Sequence, residues 1–481
     1  MTEMMKGPQG PFAVMGGRRS SVLQLRLYFM RHDTSFIGTY NCAYLKGQEF
    51  LENMIKKFLA ALAVASLALN AHAALQIEIT GGINEGHKIA VIPFTQAQGS
   101  TGTNIAKVVS DDLTRSGKFA PIPMQQLPQG SVTNGQINVD TAAQSGAEVA
   151  VTGKAEPAGN GFNVEFQVTG LQGANKGKVL AHYSGVAPAN LLRQAAHRVS
   201  DRVYELFTGQ KGAFRTRIAY VVTRHGQGYP FVLMTSDYDG YNERPVLKST
   251  QPIMTPTWSP DGTRLAYVSF EARQPAIFVQ DIASHKRTKL ASFPGLNSSP
   301  AWSPDGSKIA MTLSKDGQPD IYYYDLASGS LNRVTDNRAI DTEPTWSADS
   351  RSLFFTSERG GKAQIYKYDF ATHSTDRITY QGQMNLSARA IPGSNSLIVV
   401  TRQNGFRVAR VDADGSIYML TTSSLDESPS VAPNGSMVIY STVYQGRKGL
   451  ALVSADGRFK AYLPSTSGEV SSPAWGPLLE K

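Results

Sequence analysis

From Arg217 onward, apolar and polar positions cycle in short runs, and the cycle repeats with a period near 44 residues. "TPTWSPDGTRLAYVS" at 255–269 is echoed by "SPAWSPDGSKIAMTL" and then by "EPTWSADSRSLFFTS", which puts Trp258, Trp302 and Trp346 in step. Short apolar runs bounded by turn residues read as strands. Such runs stand at one phase of every unit: "RIAYVV" from 217, "RLAYVS" from 264, "KIAMTL" from 308, "SLFFTS" from 352, "SLIVVT" from 396 and "MVIYST" from 437. A third strand such as "DIYYYDLASG" (320–329) and a fourth such as "LNRVTD" (331–336) follow. Four short strands per unit, six times over, predict an all-β six-bladed β-propeller across 217–481.

The recurring "SPDG" has a physical reason. Proline presets the backbone of the turn's second residue, aspartate bonds its own main chain, and glycine takes the left-handed position of a tight turn. The tryptophan before it offers apolar surface to the seam between blades, which a lone blade could not bury. "AIPGSN" (390–395) lacks the Asp-Gly turn, and Ala390 and Val431 stand at or near the Trp phase. "SSPAWGPLL", with Trp475 in phase, supplies a first strand only, while the run at 217 begins with a second strand. Pairing the two completes one mixed blade, removes two exposed strand edges and closes the ring.

Residues 74–210 carry no such echo and predict a small α/β domain. "KIAVIPF" (88–94) reads as a strand. "NIAKVVSDDLTRSG" (104–117) reads as a helix with Ile105, Val108, Val109 and Leu113 on one face and Gly117 as its stop. "EVAVTGKA" (148–155), "FNVEFQVTGL" (162–171) and "KVLAHYSG" (178–185) read as three more strands. The segment 188–209 closes the domain as a helix, with Pro188 in its first turn and Leu192, Ala196, Val199, Val203 and Leu206 as its apolar stripe. Residues 211–216, inside the Gly-containing "TGQKGAFRT", read as a hinge to the propeller.

Ahead of this domain, "MIKKFLAALAVASLALNAHA" (54–73) joins two lysines, an uncharged apolar run and small residues at Ala71 and Ala73. These are the three parts of an export signal, with cleavage expected between Ala73 and Ala74. Met54 then reads as the start, and residues 1–53 as an upstream extension from a misplaced start. The only cysteine, Cys42, falls in that extension, so disulfides and cysteine-held metals are not expected in the mature chain. With no cysteine behind the apolar run to take a lipid, a soluble exported product is expected. The formal charge of +9 shrinks to +5 over 74–481, with 39 Lys/Arg against 34 Asp/Glu, which is weak ground for a nucleic-acid partner.

A propeller alone decides no function. No G-x-S-x-G elbow occurs and no two histidines share an H-E-x-x-H spacing. "GANKGKV" (173–179) is near a phosphate loop, but its glycines are too close and a hairpin turn explains it. Asp261, Asp305 and Asp325 read as turn and strand-end residues rather than as a catalytic pair. No catalytic residue, metal or cofactor is therefore assigned.

What remains is a rim. Residues before each P-x-W phase occupy equivalent places in the blades and cluster at one mouth of the channel: Met254, Thr255, Leu296, Asn297, Ser299, Asp341, Thr342, Glu343, Asn385, Asp426 and Glu427. They mix apolar, hydroxyl and acidic groups, as a protein interface does.

The export signal, the α/β domain and the blades with "WSPDGSKIA" and "YYYDLASG" together resemble the TolB family, periplasmic components of the Tol-Pal system, over nearly all of 74–481. "ITGGINEGHKIAVIPF", "DNRAIDTEPTW", "LDESPSVAPNG" and "VSADGRFKAYLPSTSGEVSSPAW" carry the resemblance in order and spacing. It implies a non-enzymatic, monomeric adaptor whose rim binds the lipoprotein Pal, reaching the outer membrane only through it. The positions matching the family's contact loops are Met254, Thr255, Leu296, Ser299, Thr342 and Glu343; where the family often has histidine, this chain has Leu296. The resemblance further implies that the segment Ala74, Leu75, Gln76, Ile77, Glu78 and Ile79 binds the inner-membrane protein TolA. Its alternation suits strand addition, to a partner or back onto its own domain. Outer-membrane integrity, envelope constriction in division, and contacts with other envelope proteins follow as expectations. The rivals are a periplasmic hydrolase or lyase acting on a peptide or glycan in the channel, and a binder of a small glycan there.

Overall fold

The computed structural model describes residues 77–78, 86–96, 102–463 and 468–479. The upstream extension, the export signal with its Ala73/Ala74 junction, and Ala74, Leu75, Gln76 and Ile79 lie outside the described residues. The described residues of the α/β domain and the propeller fall in one compact unit.

In the α/β domain, β1 (Ile77–Glu78) stands apart from the local sheet, and β2 (His87–Val91), β3 (Thr95–Gln96) and β4 (Phe119–Ile122) flank α1 (Ile105–Arg115). A small hairpin, β5 (Val132–Thr133) with β6 (Gln136–Ile137), precedes α2 (Val139–Ala143). Then come β7 (Val149–Ala158), β8 (Gly161–Gly170), β9 (Val179–Pro188) and α3 (Leu192–Thr208). The sheet order is β4-β2-β7-β8-β9, with β2 parallel to both neighbours and the last three strands antiparallel. The expected strand at 88–94 stops at Val91 and resumes as β3, because Pro93 has no N–H to offer the ladder. Helix α1 begins as expected: the Asn104 side chain accepts from the Lys107 amide, and Gly117 just beyond the helix is left-handed at φ 69°.

Two details of α3 differ from the sequence reading. Pro188 ends β9 in an extended conformation opposite Gly161 instead of opening the helix, which starts at Leu192. Leu206 is 41% exposed; the stripe drifts across the last turn to Tyr204 and Phe207, whose ring lies 5.4 Å from that of Phe119. The 211–216 segment is no loose hinge. Gly212, Ala213, Phe214 and Thr216 are buried, and the Phe214 amide donates to Asp201.

The propeller has six four-stranded blades, and its closing blade joins Glu469–Trp475 to Arg217–Thr223 as the sequence requires. Ile218 faces Trp475 and Ala219 faces Ala474 in that pairing. Tryptophans seal the seams: the Trp258 indole donates to the Ala474 carbonyl at 3.1 Å, and that of Trp346 to the Ala301 carbonyl at 3.0 Å. Arginine caps add to this, Arg217 over Trp258 and Arg264 over Trp302. Asp261 accepts from the Ser259 hydroxyl and from the Thr263 amide and hydroxyl, with Gly262 left-handed at φ 67°. Asp305 does the same with Ser303 and Ser307, so both acids are turn builders.

The α/β domain sits on the rim that carries these turns. The two share one apolar core in which Phe214 packs on Tyr204 and Tyr238, and Tyr238 stacks on Trp475 at 6.1 Å. Beside it lies a buried charged cluster. Asp112 of α1 receives the Tyr238 hydroxyl at 2.5 Å, the Ser200 hydroxyl at 2.6 Å, Arg115 at 3.2 Å and the His197 ring at 2.7 Å. Asp239, in the turn of the first blade, pairs with Arg193 and lies 3.7 Å from both Arg115 and His197. Asp112, His197 and Asp239 have the spacing of a metal triad, but two guanidiniums already supply the positive charge there.

Candidate partner-binding site

Each first strand of a blade starts at the rim away from the α/β domain, so the loops entering those strands surround one open mouth. Sequence reasoning treats the strand-opening residues as a contact set. The structure divides them into two groups.

Asn297, Asp341, Asn385 and Asp426 are fully buried, which corrects their assignment as partner contacts. Each ties down its own entry loop. Asn297 exchanges bonds with both the amide and the carbonyl of Phe293, and Asp341 accepts from Asn337 and Arg359. Asn385 donates to the Gln381 carbonyl and to Gln364, while Asp426 gathers hydroxyls from Ser423 and Thr442. A buried polar side chain must find partners, and at this register the two asparagines find them on the loop's main chain and the two aspartates on neighbouring side chains.

The surface of the mouth is left to other residues. Met254 is 46% exposed, Leu296 and Thr342 are half-buried, and Glu427 is exposed with Lys448 as its ion-pair partner. Three exposed apolar residues of the same loops went unnoticed in sequence: Ile340, Tyr380 at 70% and Leu425 at 57% exposure. Their signal was present, because each is a large apolar residue in a polar loop just before a first strand. Together they give the mouth an apolar border of the kind that protein interfaces use.

Thr255, Ser299 and Glu343 line the channel below that border. Thr255, Ser299, Glu343, Ser387, Ser428 and Ser472 stand at one register, all left-handed with φ between 47° and 56°. In all six blades the residue lies in a β-bulge of the first strand. A non-glycine residue in that region is strained, and six repeats of the strain point to a shared structural cause. The freed amides reach across seams: Glu343 to the Thr312 hydroxyl, Ser387 to Thr356 and Ser472 to Ser441. The bulge thus exchanges a ladder bond for a bond between blades.

The channel cavity is about 180 Å³. Its lining contains one carboxylate, Glu343, and one guanidinium, Arg389, among the described residues. Glu343 is already engaged, accepting from the Thr356 hydroxyl and from the amide and hydroxyl of Ser387. A two-carboxylate reaction needs a second acid in the channel, and the rest of this lining offers hydroxyls, apolar groups and Arg389.

The N-terminal segment enters the picture at blade six. Ile77 and Glu78 pair antiparallel with Ala461 and Lys460, adding a fifth strand to the outer edge of that blade. For these two residues the pairing is with the propeller and not with the α/β sheet. No helix among the described residues is long and apolar enough to cross a membrane.

Two family models match the chain, the TolB amino-terminal domain over residues 75–176 and the TolB beta propeller domain over residues 204–479. A Tol-Pal system protein TolB from Mannheimia succiniciproducens is 52% identical over 90% of this chain and 99% of its own length. One from Haemophilus influenzae is 52% identical over 90% of this chain and all of its own. The crystal structure of TolB from Acinetobacter baumannii superimposes with a TM-score of 0.77 at 38% identity, covering 84% of this chain and all of that one.

Proposed function

The chain belongs to the TolB family of Tol-Pal system proteins, and from that premise we propose that it is a non-enzymatic periplasmic adaptor. In this reading it binds the lipoprotein Pal through the open mouth of the propeller and TolA through its mature N-terminus. It so couples an inner-membrane complex to the outer membrane during envelope constriction. The observation that carries the reading is the mouth itself: an apolar border of Met254, Ile340, Tyr380 and Leu425, facing away from the α/β domain. The pairing of Ile77 and Glu78 with blade six supports a second element, a TolA-binding strand that alternates between its own propeller and a partner's sheet edge.

The test is a pull-down using residues 74–481 and the soluble domain of the cognate Pal-type lipoprotein. The wild-type protein is expected to retain the lipoprotein and Thr342→Arg to lose it. Retention by neither, or by both equally, refutes the rim assignment. Deleting 74–79 is expected to abolish TolA binding and to change the Pal affinity; two unchanged affinities refute the switch.

A further inference from the structure

The channel lining has a second ring, two residues beyond the left-handed one, formed by the residue between Pro and Trp in each P-x-W phase. Its members are Thr257, Ala301, Thr345, Arg389, Ser430 and Ala474. Five are small, and the sixth is an arginine. The five small side chains leave the room that one long side chain occupies, so the Arg389 guanidinium sits in a narrow tube of hydroxyls and methyl groups with Glu343 as the one acid of the lining.

Glu343 acts on that guanidinium through its charge but forms no ion pair with it. One guanidinium nitrogen of Arg389 donates to the Ala388 carbonyl at 2.7 Å, and the group makes no ion pair among the described residues. Glu343, the other charged group of the lining, has turned both oxygens to Thr356 and Ser387. Burial pushes the Arg389 guanidinium below its ordinary value, and Glu343 offsets this only in part. A half-buried guanidinium that forms no ion pair keeps donors for another partner, and its planar fork matches a carboxylate or phosphate edge.

We propose that the propeller channel is a binding site for one carboxylate or similar small oxyanion, recognised by Arg389 and by the hydroxyls of the ring above it. Ser428 and Ser472 belong to that left-handed ring and line the same cavity. The anion has two sources of the same chemistry: a free small anion, or an Asp or Glu side chain that a partner at the mouth inserts into the channel. The second source rests on the rim reading above; the first does not.

Two arms separate them. In the first, the melting temperature of the 74–481 protein is followed with acetate or phosphate at constant ionic strength, for wild type, Arg389→Gln, Arg389→Lys and the exposed control Arg351→Gln. The expected result is a rise in wild type, control and, more weakly, Arg389→Lys, with none in Arg389→Gln. In the second arm, affinity for the soluble domain of the Pal-type lipoprotein is compared across the same variants. A carboxylate supplied by the partner costs Arg389→Gln roughly 10- to 100-fold, the range of a charge-assisted bond, with partial rescue by Arg389→Lys. Either signature supports the site and identifies the source. If Arg389→Gln matches wild type in both arms, the proposal is overturned. If wild type binds no lipoprotein, the rim reading fails alone and the anion arm decides the channel.

Discussion

Asp112→Asn is the sharpest probe of how the α/β domain is fixed to the propeller. Asp112 is the hub of the buried cluster, meeting His197 and Ser200 through one oxygen and Tyr238 and Arg115 through the other. Asparagine keeps the volume and can still meet Ser200 and Tyr238, but it leaves Arg115 and His197 with Asp239 as their shared carboxylate, 3.7 Å from each. Removing one partner from a buried ion pair costs about 3–5 kcal/mol, and the retained hydroxyl contacts place this variant near the lower bound, about 3 kcal/mol. The loss should depend on pH. Burial alone would push the His197 imidazole down, but the carboxylates of Asp112 and Asp239 outweigh it and hold it above its ordinary 6.5. Stabilisation from a raised histidine is complete below pH 6.5 and is lost as pH rises through the folded value. In the variant the larger of the two opposing charges is gone, so this alkaline loss should flatten. Urea unfolding at pH 6 and pH 8.5, followed by tryptophan fluorescence, to which Trp475 beside Tyr238 contributes, measures both quantities. The gap between wild type and variant is expected to be widest at pH 6. A gap under about 1 kcal/mol at both pH values, or one that widens toward pH 8.5, would refute the cluster as a charged interdomain lock.

Three further outcomes are expected. Trp302→Phe should cost about 1 kcal/mol less than Trp346→Phe in urea unfolding, because the Trp346 indole donates to a carbonyl across the seam whereas that of Trp302 has no acceptor among the described residues. Asp341→Ala should lower the melting temperature by stranding Arg359, while Met254→Asp should leave it unchanged and weaken lipoprotein binding in a pull-down, separating the buried rim residues from the exposed ones. Lys118→Ala should move the acid-unfolding midpoint to higher pH. Burial would raise the Asp456 carboxyl, but Lys118, Ser454 and Arg458 hold it well below the ordinary 3.8, so its contribution is present above that pH and is lost as pH falls through the folded value.

The sequence made the ring and its closure readable because both rest on local chemistry. "SPDG" is a turn by virtue of its own residues, and the Trp475 phase marks a first strand whose partner is the second-strand run at Arg217. Side-chain direction at the rim is a different matter. Asn297, Asp341, Asn385 and Asp426 read as rim contacts because they precede the P-x-W phase in equivalent places, yet they stand at the register where the entry loop folds over the strand. Nothing in their identity separates inward from outward. Pro188 and Leu206 erred for a related reason: an element's end is set by what it packs against, here the β9 pairing and the Phe119 ring. The buried cluster was unreadable because it joins Asp112, His197 and Asp239 from distant parts of the chain.

The left-handed register explains why the mouth and the channel belong together. In the bulged first strands the ladder slips between the residue before the left-handed position and the residue two beyond it, as between Met254 and Thr257 or Leu386 and Arg389. That slip leaves both registers lining the channel while the preceding residue opens onto the mouth. Substituting the left-handed residue therefore alters a channel wall and the bulge that carries a bond between blades, whereas substituting the residue between Pro and Trp alters the channel alone. Arg389 stands at the second kind of position. Its charge can reach a partner at the mouth only by the partner reaching in, so a dependence of lipoprotein affinity on Arg389 cannot be attributed to rim packing. A change at Glu343 carries no such discrimination, because its carboxylate also joins Thr356 to Ser387 across the seam.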